Sequence, residues 1–365
     1  MNQSTLRRAA LGVGAPVAAV AFAVALSSIV LIVSGNNPIT AFADMIEYAS
    51  RLETIVDILN EATPLYLAGI AAAIGFRMNL FNIGVEGQYL IAAFFAAAIG
   101  SAGFVVDLPG PLHVAVILLV AMSVGAAWAG VAGALKVTRG INEVISTIML
   151  NNIALLVTGY LISTTLFRRP DRSDPISKSV EESARFPRLI WWEPSLRVDT
   201  SLIMALALAV LIFWLMERST YGFELNAVGL NPSAATSAGM NPARVVVTAF
   251  SVAGALSGAA GAATILGLQH RLTIGFSAGL GFDGITVALL GRGRIGGTVA
   301  AGILIGILKS GGRNMQAQTG TSLELALVIQ ALIIVFIAAP GLVRAIFRIK
   351  AEDLATGQVA KGWGS

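Results

Sequence analysis

The sequence predicts an all-α fold: a polytopic membrane helix bundle of about ten transmembrane helices, two of them broken or discontinuous. Three observations carry that expectation. Of 365 residues, 56% are hydrophobic and only 12% charged, with a mean hydropathy of +0.80, whereas soluble domains are about a quarter charged. Several apolar runs reach the ~20 residues needed to cross a hydrocarbon core. Two such runs are interrupted by glycines flanking an acid, at Gly84-Val-Glu-Gly87 and Gly281-Phe-Asp-Gly284. A charge at bilayer depth costs about 2.5–3.5 kcal/mol on insertion scales. Such interruptions therefore read as loosened backbone that faces a cavity or packs against protein.

Composition also excludes chemistry. There is no cysteine, which removes disulfides, thiolate metal sites and a cysteine nucleophile. The net charge of +4 does not point to nucleic acid, because the basic residues sit in short loops where they set orientation. The 39 glycines fit close helix packing in lipid.

Taken in order, Arg7 and Arg8 precede an apolar run from Gly14 to Val33, longer than a signal-peptide core and so expected to stay as the first span. After a polar stretch, Asn36 to Arg51, span two covers Ile55–Phe76 and carries Thr63-Pro64, where a kink is expected. Span three runs over Leu80–Gly100. Past Pro109-Gly-Pro111 come span four (His113–Leu135) and span five (Asn142–Phe167). A long polar segment, 168–197, ends near Trp191 and Trp192, a pair suited to the membrane–water interface. Span six (Ser201–Met216), a polar loop (Glu217–Ala243) and span seven (Arg244–Leu268) follow. The last third holds a Gly-rich eighth span (Gly275–Gly291), a ninth (Ile295–Leu308) and a tenth (Leu323–Val343). Lysine and arginine counts in the short loops favour both termini inside. The organisation expected is one transmembrane domain over 1–350, with an external segment 168–197 and a cytoplasmic loop 218–243, then a cytoplasmic tail 351–365.

Glu86 and Asp283 each admit two readings. A carboxylate there caps the start of a half-helix, or it faces a pathway and helps hold a substrate. Paired glycine-interrupted spans in two halves of a chain point to a central transport site. Glu143, Thr147 and Asn151 are spaced i, i+4, i+8 and share a helical face, with Asn151 about 12 Å deeper than Glu143. Asn152 adds a second amide. These amides either bond neighbouring helices or read a polar neutral substrate.

Other patterns carry less. Gly279-Leu-Gly-Phe-Asp-Gly284 and Gly291-Arg-Gly-Arg-Ile-Gly296 match G-x-G-x-x-G but lack the strand a dinucleotide site requires. No P-loop, metal-ligand set or nucleophile–base arrangement is visible, so no catalytic or metal residues are assigned. His113 and His270 read as interfacial loop residues. In the loop after span six, Asn231 suits an N-cap, Pro232 a first helical position and Gly239 a stop. The short helix Asn231, Pro232, Ser233, Ala234, Ala235, Thr236, Ser237, Ala238, Gly239 is too short to cross and suits docking of a soluble partner.

Four blocks carry a specific resemblance: Phe81-Asn-Ile-Gly-Val-Glu-Gly-Gln88, Asn142-Glu-Val-Ile-Ser-Thr-Ile-Met-Leu-Asn151, Gly222-Phe-Glu-Leu-Asn-Ala-Val-Gly-Leu-Asn231 and Gly281-Phe-Asp-Gly-Ile-Thr-Val-Ala-Leu-Leu-Gly291. In order over residues 60–340, they make the chain resemble permease subunits of the nucleoside/simple-sugar branch of ABC importers, related to ribose and branched-chain amino-acid permeases. The resemblance implies a multi-pass protein of the bacterial inner (cell) membrane that imports nucleosides and is not itself an enzyme. It implies no cofactor on this chain, ATP being used by a cytoplasmic ABC ATPase that grips the 231–239 helix. It further implies a second, paralogous permease chain and an external substrate-binding lipoprotein. The pathway residues expected are Phe81, Asn82, Glu86, Gln88, Asn151, Asn152, Phe282 and Asp283, the two phenylalanines being available to stack on a base. A simple-sugar permease and an ion-coupled secondary transporter remain open as alternatives at this level.

Overall fold

A computed structural model describes residues 21–319, apart from 23, 106 and 194, together with 327, 328 and 331. The first part of span one, nearly all of span ten and the tail lie outside the described residues. Among those described, regular structure is helical, with three isolated β-bridges and no strand. The chain divides into two compact units, one of residues up to 49 with those from 308 onward, the other 50–307.

In the smaller unit, α1 (Val24–Val33) and α2 (Pro38–Ser50) are bent by 120° at the turn between them. The polar stretch from Asn36 is thus mostly helical. The Asn37 side chain accepts the Ile39 N–H at 2.9 Å as the chain enters α2. Gly311 lies against Met45, where a Cβ would come within 2.7 Å of its side chain.

The larger unit is built around α3 (Leu52–Arg77), whose most apolar window is 89% buried inside the protein. That burial makes it the central post. It runs through Pro64 as one helix, with the Thr63 hydroxyl donating to the Leu59 carbonyl at 2.9 Å. Against it pack α11 (Leu280–Leu290), α10 (Pro242–Ala263), α7 (Ser201–Arg218) and α4 (Val85–Gly100), while α5 (Gly110–Arg139) lies on α10 and α4, and α6 (Glu143–Ser163) on α4 and α5. The apolar windows of α5, α6 and α7 are only 22–33% buried, which suits helices that turn a face to lipid. Small residues set the closest contacts. Gly125 of α5 and Gly254 of α10 meet backbone to backbone, and Gly258 meets the Ala121 carbonyl. In lipid this close approach supplies the van der Waals contact that holds helices together.

The described residues do not by themselves reach the expected count of about ten spans. Six helices are long and apolar enough to cross, or seven if α1 and α2 form one span. Spans three and eight are short for a physical reason. The chain from Met78 to Gly84 turns instead of extending α3 or α4, with Asn79 at φ +53°. That leaves α4 with 16 residues. Gly275 and Gly279, both at positive φ, delay α11 until Leu280 and leave it 11 residues. At 1.5 Å per residue, 11 residues reach about 16 Å, half of a ~30 Å hydrocarbon core.

Candidate functional site

The two short helices meet at their starts. Glu86, in the first turn of α4, accepts the Gly281 N–H of α11 at 2.7 Å and the Ser277 hydroxyl just before it. A Cβ at Gly281 would collide with the Glu86 backbone, so the two N-termini are in direct contact. Helix N-termini carry unpaired N–H groups and partial positive charge, and the buried Glu86 carboxylate satisfies both requirements for α11. The capping role expected for this residue is present, but Glu86 caps the opposite half-helix and not its own. A charged group so paired is tolerated at depth where an unpaired one is not.

Asn82 and Gln88 form the second knot. Asn82 Oδ1 accepts from the Gly84 N–H at 3.1 Å and from Gln88 Nε2 at 3.0 Å. Gln88 Oε1 in turn accepts the Ser257 hydroxyl of α10 at 3.1 Å. All three residues are buried. Behind them, the Tyr89 hydroxyl donates to Thr264 at 3.0 Å, and its ring stacks on Phe276 with centroids 5.5 Å apart. Thr264 opens a π-helical turn, Thr264–Gln269, a local widening that often marks functional segments.

Asn151 pins the same region from α6. Its Nδ2 donates to the Ile83 carbonyl at 2.9 Å, and its Oδ1 accepts the Gly87 N–H at 2.8 Å. Both ends of the amide are spent on backbone that a broken helix leaves open. Glu143, Thr147 and Asn151 do share one buried face. Glu143 pairs with Lys136 of α5 at 2.6 Å, and Thr147 lies beside Gly84, whose Cβ would stand 3.1 Å away. Asn152 is not brought into this cluster. It is exposed on the adjoining face and donates to the Ile148 carbonyl of its own helix at 3.0 Å.

The aromatic pair behaves differently from the amides. Phe81 is 40% and Phe282 49% exposed, so each presents ring surface that this chain leaves uncovered. Phe81 also packs edge-on against Phe76. Asp283 sits half-buried in the first turn of α11 and has interactions of its own. A narrow crevice lined by Gly75, Met78, Leu80, Asn82, Ala249, Phe250 and Ala253 opens beside Asn82. No group of three or more His, Asp or Glu that could hold a metal ion occurs among the described residues.

At the end of the unit reached by α7, α8 (Thr220–Leu230) and α9 (Pro232–Ser237) form the loop structure read from sequence. Asn231 accepts the Ala234 N–H at 3.0 Å, Pro232 holds the first position, and Gly239 follows at φ +82°. Every residue from Asn231 to Gly239 is exposed except Ala235. At the other end, segment 168–197 lies over the helix ends, paired through backbone. Ser177 and Val180 donate to the carbonyls of Leu272 and His270 at 2.9 Å, and Phe186 donates to Leu266 at 3.1 Å. His113, expected in a loop, is instead buried in the first turn of α5, with Nδ1 3.0 Å from the Ser183 hydroxyl. Burial, and then the nearby Arg185, holds His270 below the ordinary histidine range. Asp199 is buried next to Gly267 and accepts the Ser201 N–H at 2.8 Å where α7 begins. Burial raises its carboxyl above the usual aspartate range.

Sequence reasoning missed Ser257 and Ser277 as partners of this network. Ser257 is a hydroxyl within a glycine- and alanine-rich helix, which is a signal; Ser277 has none, since its partner lies 191 residues away.

Comparison with known proteins bears on what this arrangement is for. The guanosine ABC transporter permease protein NupP of Bacillus subtilis is 36% identical over 331 residues, 90% of this chain and 94% of its own. The nucleoside ABC transporter permease protein NupB of Lactococcus lactis is 31% identical over 361 residues, 96% of each. The glucose ABC transporter permease protein TsgB13 of Haloferax volcanii is 31% identical over 335 residues, 90% of this chain and 87% of its own. No solved structure matches. Residues 54–338 match the family described as branched-chain amino acid transport system, permease component; the chain belongs to that family, and is a multi-pass membrane subunit for transport, not an enzyme.

Proposed function

We propose that the chain is the permease subunit of an ABC importer for nucleosides, driven by a separate cytoplasmic ATPase. The observation that most supports this is similarity over at least nine-tenths of the chain to permeases named for guanosine and for nucleosides. In this reading α4 and α11 are the two half-spans of a bundle of about ten, and both termini lie in the cytoplasm. Residues 1–350 form the transmembrane domain and 351–365 a cytoplasmic tail.

The paired N-termini fix the shape of the path. Asn82, Gln88 and Asn151 hold the loop that begins α4, Glu86 locks α11 to it, and Asp283 stands one turn into α11. Phe81 and Phe282 offer ring faces to a nucleobase, a contact worth about 0.5–1.5 kcal/mol beyond area. Segment 168–197 receives an external substrate-binding lipoprotein, and the exposed 231–239 helix enters a groove of the ATPase. A paralogous permease completes the path. ATP is bound and hydrolysed on the partner, and this chain holds no cofactor.

A second reading, a simple-sugar permease, draws on the likeness to the glucose permease. Purification in mild detergent from the native cell, followed by reconstitution of what co-purifies, tests both. The expected result is a stoichiometric ATPase and ATP-dependent uptake of labelled guanosine that other nucleosides, and not glucose, compete away. Competition by glucose alone favours the sugar reading; uptake by this chain without ATP or ATPase removes the ABC assignment.

A further inference from the structure

The short helices α8 and α9 are separated from the α4 start by the turn 77–82, and this turn is clamped from both sides. On one side the backbone of α8 rests directly on it. A Cβ at Gly229 would stand 2.7 Å from the Arg77 carbonyl oxygen and from Met78 Cα. Asn79 donates its amide to the Gly229 carbonyl at 2.9 Å, across 150 residues of sequence. Arg77 pairs with Glu217 at the end of α7. On the other side, Asn82 is tied to Gly84 and Gln88, and Gln88 to Ser257 of α10.

Two features make this turn stiff. Asn79 occupies the left-handed region at φ +53°, a conformation of low population for a residue with a side chain, which asparagine tolerates better than most. The N–H groups of Met78 and Leu80 both bond to the Gly75 carbonyl, at 2.9 and 3.0 Å, closing the turn on itself. From α9 to α4 the connection therefore runs through backbone contacts and short amides. Asn231 caps α9 and donates its own N–H to the Ala227 carbonyl of α8 at 3.0 Å. At the step from α8 to the turn, the contact is made by the Gly229 backbone and the short Asn79 amide, which leave few rotamers to absorb a displacement.

We infer that Asn79 is a positioning residue for transport: its amide transmits movement of α8 and α9 to the loop that begins α4. The inference rests on the permease reading above. It assigns to the Asn79–Gly229 hydrogen bond a share of that link beyond what the backbone contact of Gly229 with Arg77 and Met78 supplies.

The test is Asn79→Gly in the full transporter, reconstituted with the ATPase that co-purifies and supplied with labelled guanosine. Glycine accepts the same positive φ while removing the side chain and with it the amide. Expected are unchanged assembly and melting, continued ATP hydrolysis, and a fall of about tenfold in guanosine moved per ATP, within the ~5–150-fold range typical of coupling between sites. Asn79→Asp, which keeps size but has no N–H to give, is expected to match it. A wild-type transport-to-hydrolysis ratio in both variants overturns the role of Asn79 and leaves the permease reading intact. Loss of the bound ATPase in Asn79→Gly assigns Asn79 to assembly and also overturns it. Wild-type uptake that proceeds without ATP overturns the permease reading itself, and this inference with it.

Discussion

Replacing Gly281 with alanine tests the meeting of α4 and α11 at its tightest point. The added Cβ would overlap the Glu86 backbone and stand 2.8 Å from the Val85 carbonyl carbon. Real Cβ contacts to backbone lie beyond about 3.4 Å, so α11 must retreat by several tenths of an ångström or more. That movement lengthens the 2.7 Å bond from Gly281 N–H to Glu86. Overpacking costs about 1–3 kcal/mol, and weakening a hydrogen bond to a charged group up to a further ~1.5–3 kcal/mol. The expected loss is therefore about 1–6 kcal/mol, a large part of a typical ~5–15 kcal/mol stability. Gly279→Ala is the control. Its backbone is at φ +81° but its Cβ would meet nothing nearer than the Phe282 ring at 3.8 Å, so its cost is the backbone strain alone, about 1–2 kcal/mol. Thermal melting in detergent should rank wild type above Gly279→Ala and that above Gly281→Ala. Glu86→Gln, which keeps an acceptor for Gly281, should stay assembled while transport falls. A Gly281→Ala protein that melts and transports like wild type would refute the direct docking of the two half-helices.

Three further outcomes follow from the same geometry. Asn151→Ala leaves the Ile83 carbonyl and the Gly87 N–H without their partner and should lower stability by about 1–3 kcal/mol, whereas the exposed Asn152→Ala should stay within about 0.5 kcal/mol in the same melting assay. Ala235→Pro removes the 3.0 Å bond to the Asn231 carbonyl at a cost of about 3 kcal/mol to that helix; pull-down should show the ATPase lost while the membrane bundle still melts as wild type. Asp199 has a folded carboxyl raised by burial, so its contribution is fully present below the unfolded aspartate value and is lost as pH rises through the folded one. Asp199→Asn should thus gain on wild type as melting is followed upward from about pH 4 to about pH 8; a constant difference would mean that burial does not raise this carboxyl.

What could be read in the sequence was local. The long helices α3, α5, α6, α7 and α10 declare themselves by apolar length, and the α9 helix by Asn231, Pro232 and Gly239, each acting within four residues. The interruption at 79–88 was legible because polar groups inside an apolar run have few explanations. The partners of those groups were not legible. Glu86 could be recognised as a cap, but its helix lies 195 residues further along, and no spacing rule reaches that far. Asn151 was placed on the correct face of α6 by periodicity, yet whether it served a neighbour or a ligand depended on the Ile83 carbonyl standing opposite. Asn152, one residue on, is turned about 100° away by the same helix geometry. The extent of spans three and eight escaped for a related reason: hydropathy measures how apolar a run is, and says little about where its backbone stops being helical.

The seam between α5 and α10 has a mechanical side. Gly125, Gly254 and Gly258 let main chains touch with no side chain between them, so neither helix has a compliant layer along which to slide past the other. A register shift would carry Ala121 or Ala129 over an opposing carbonyl and stop there. The pair is therefore expected to move as a single beam. Cysteines introduced in pairs across the seam should cross-link equally with and without nucleotide on the ATPase, and a cross-link that forms in one state alone would show that the beam comes apart.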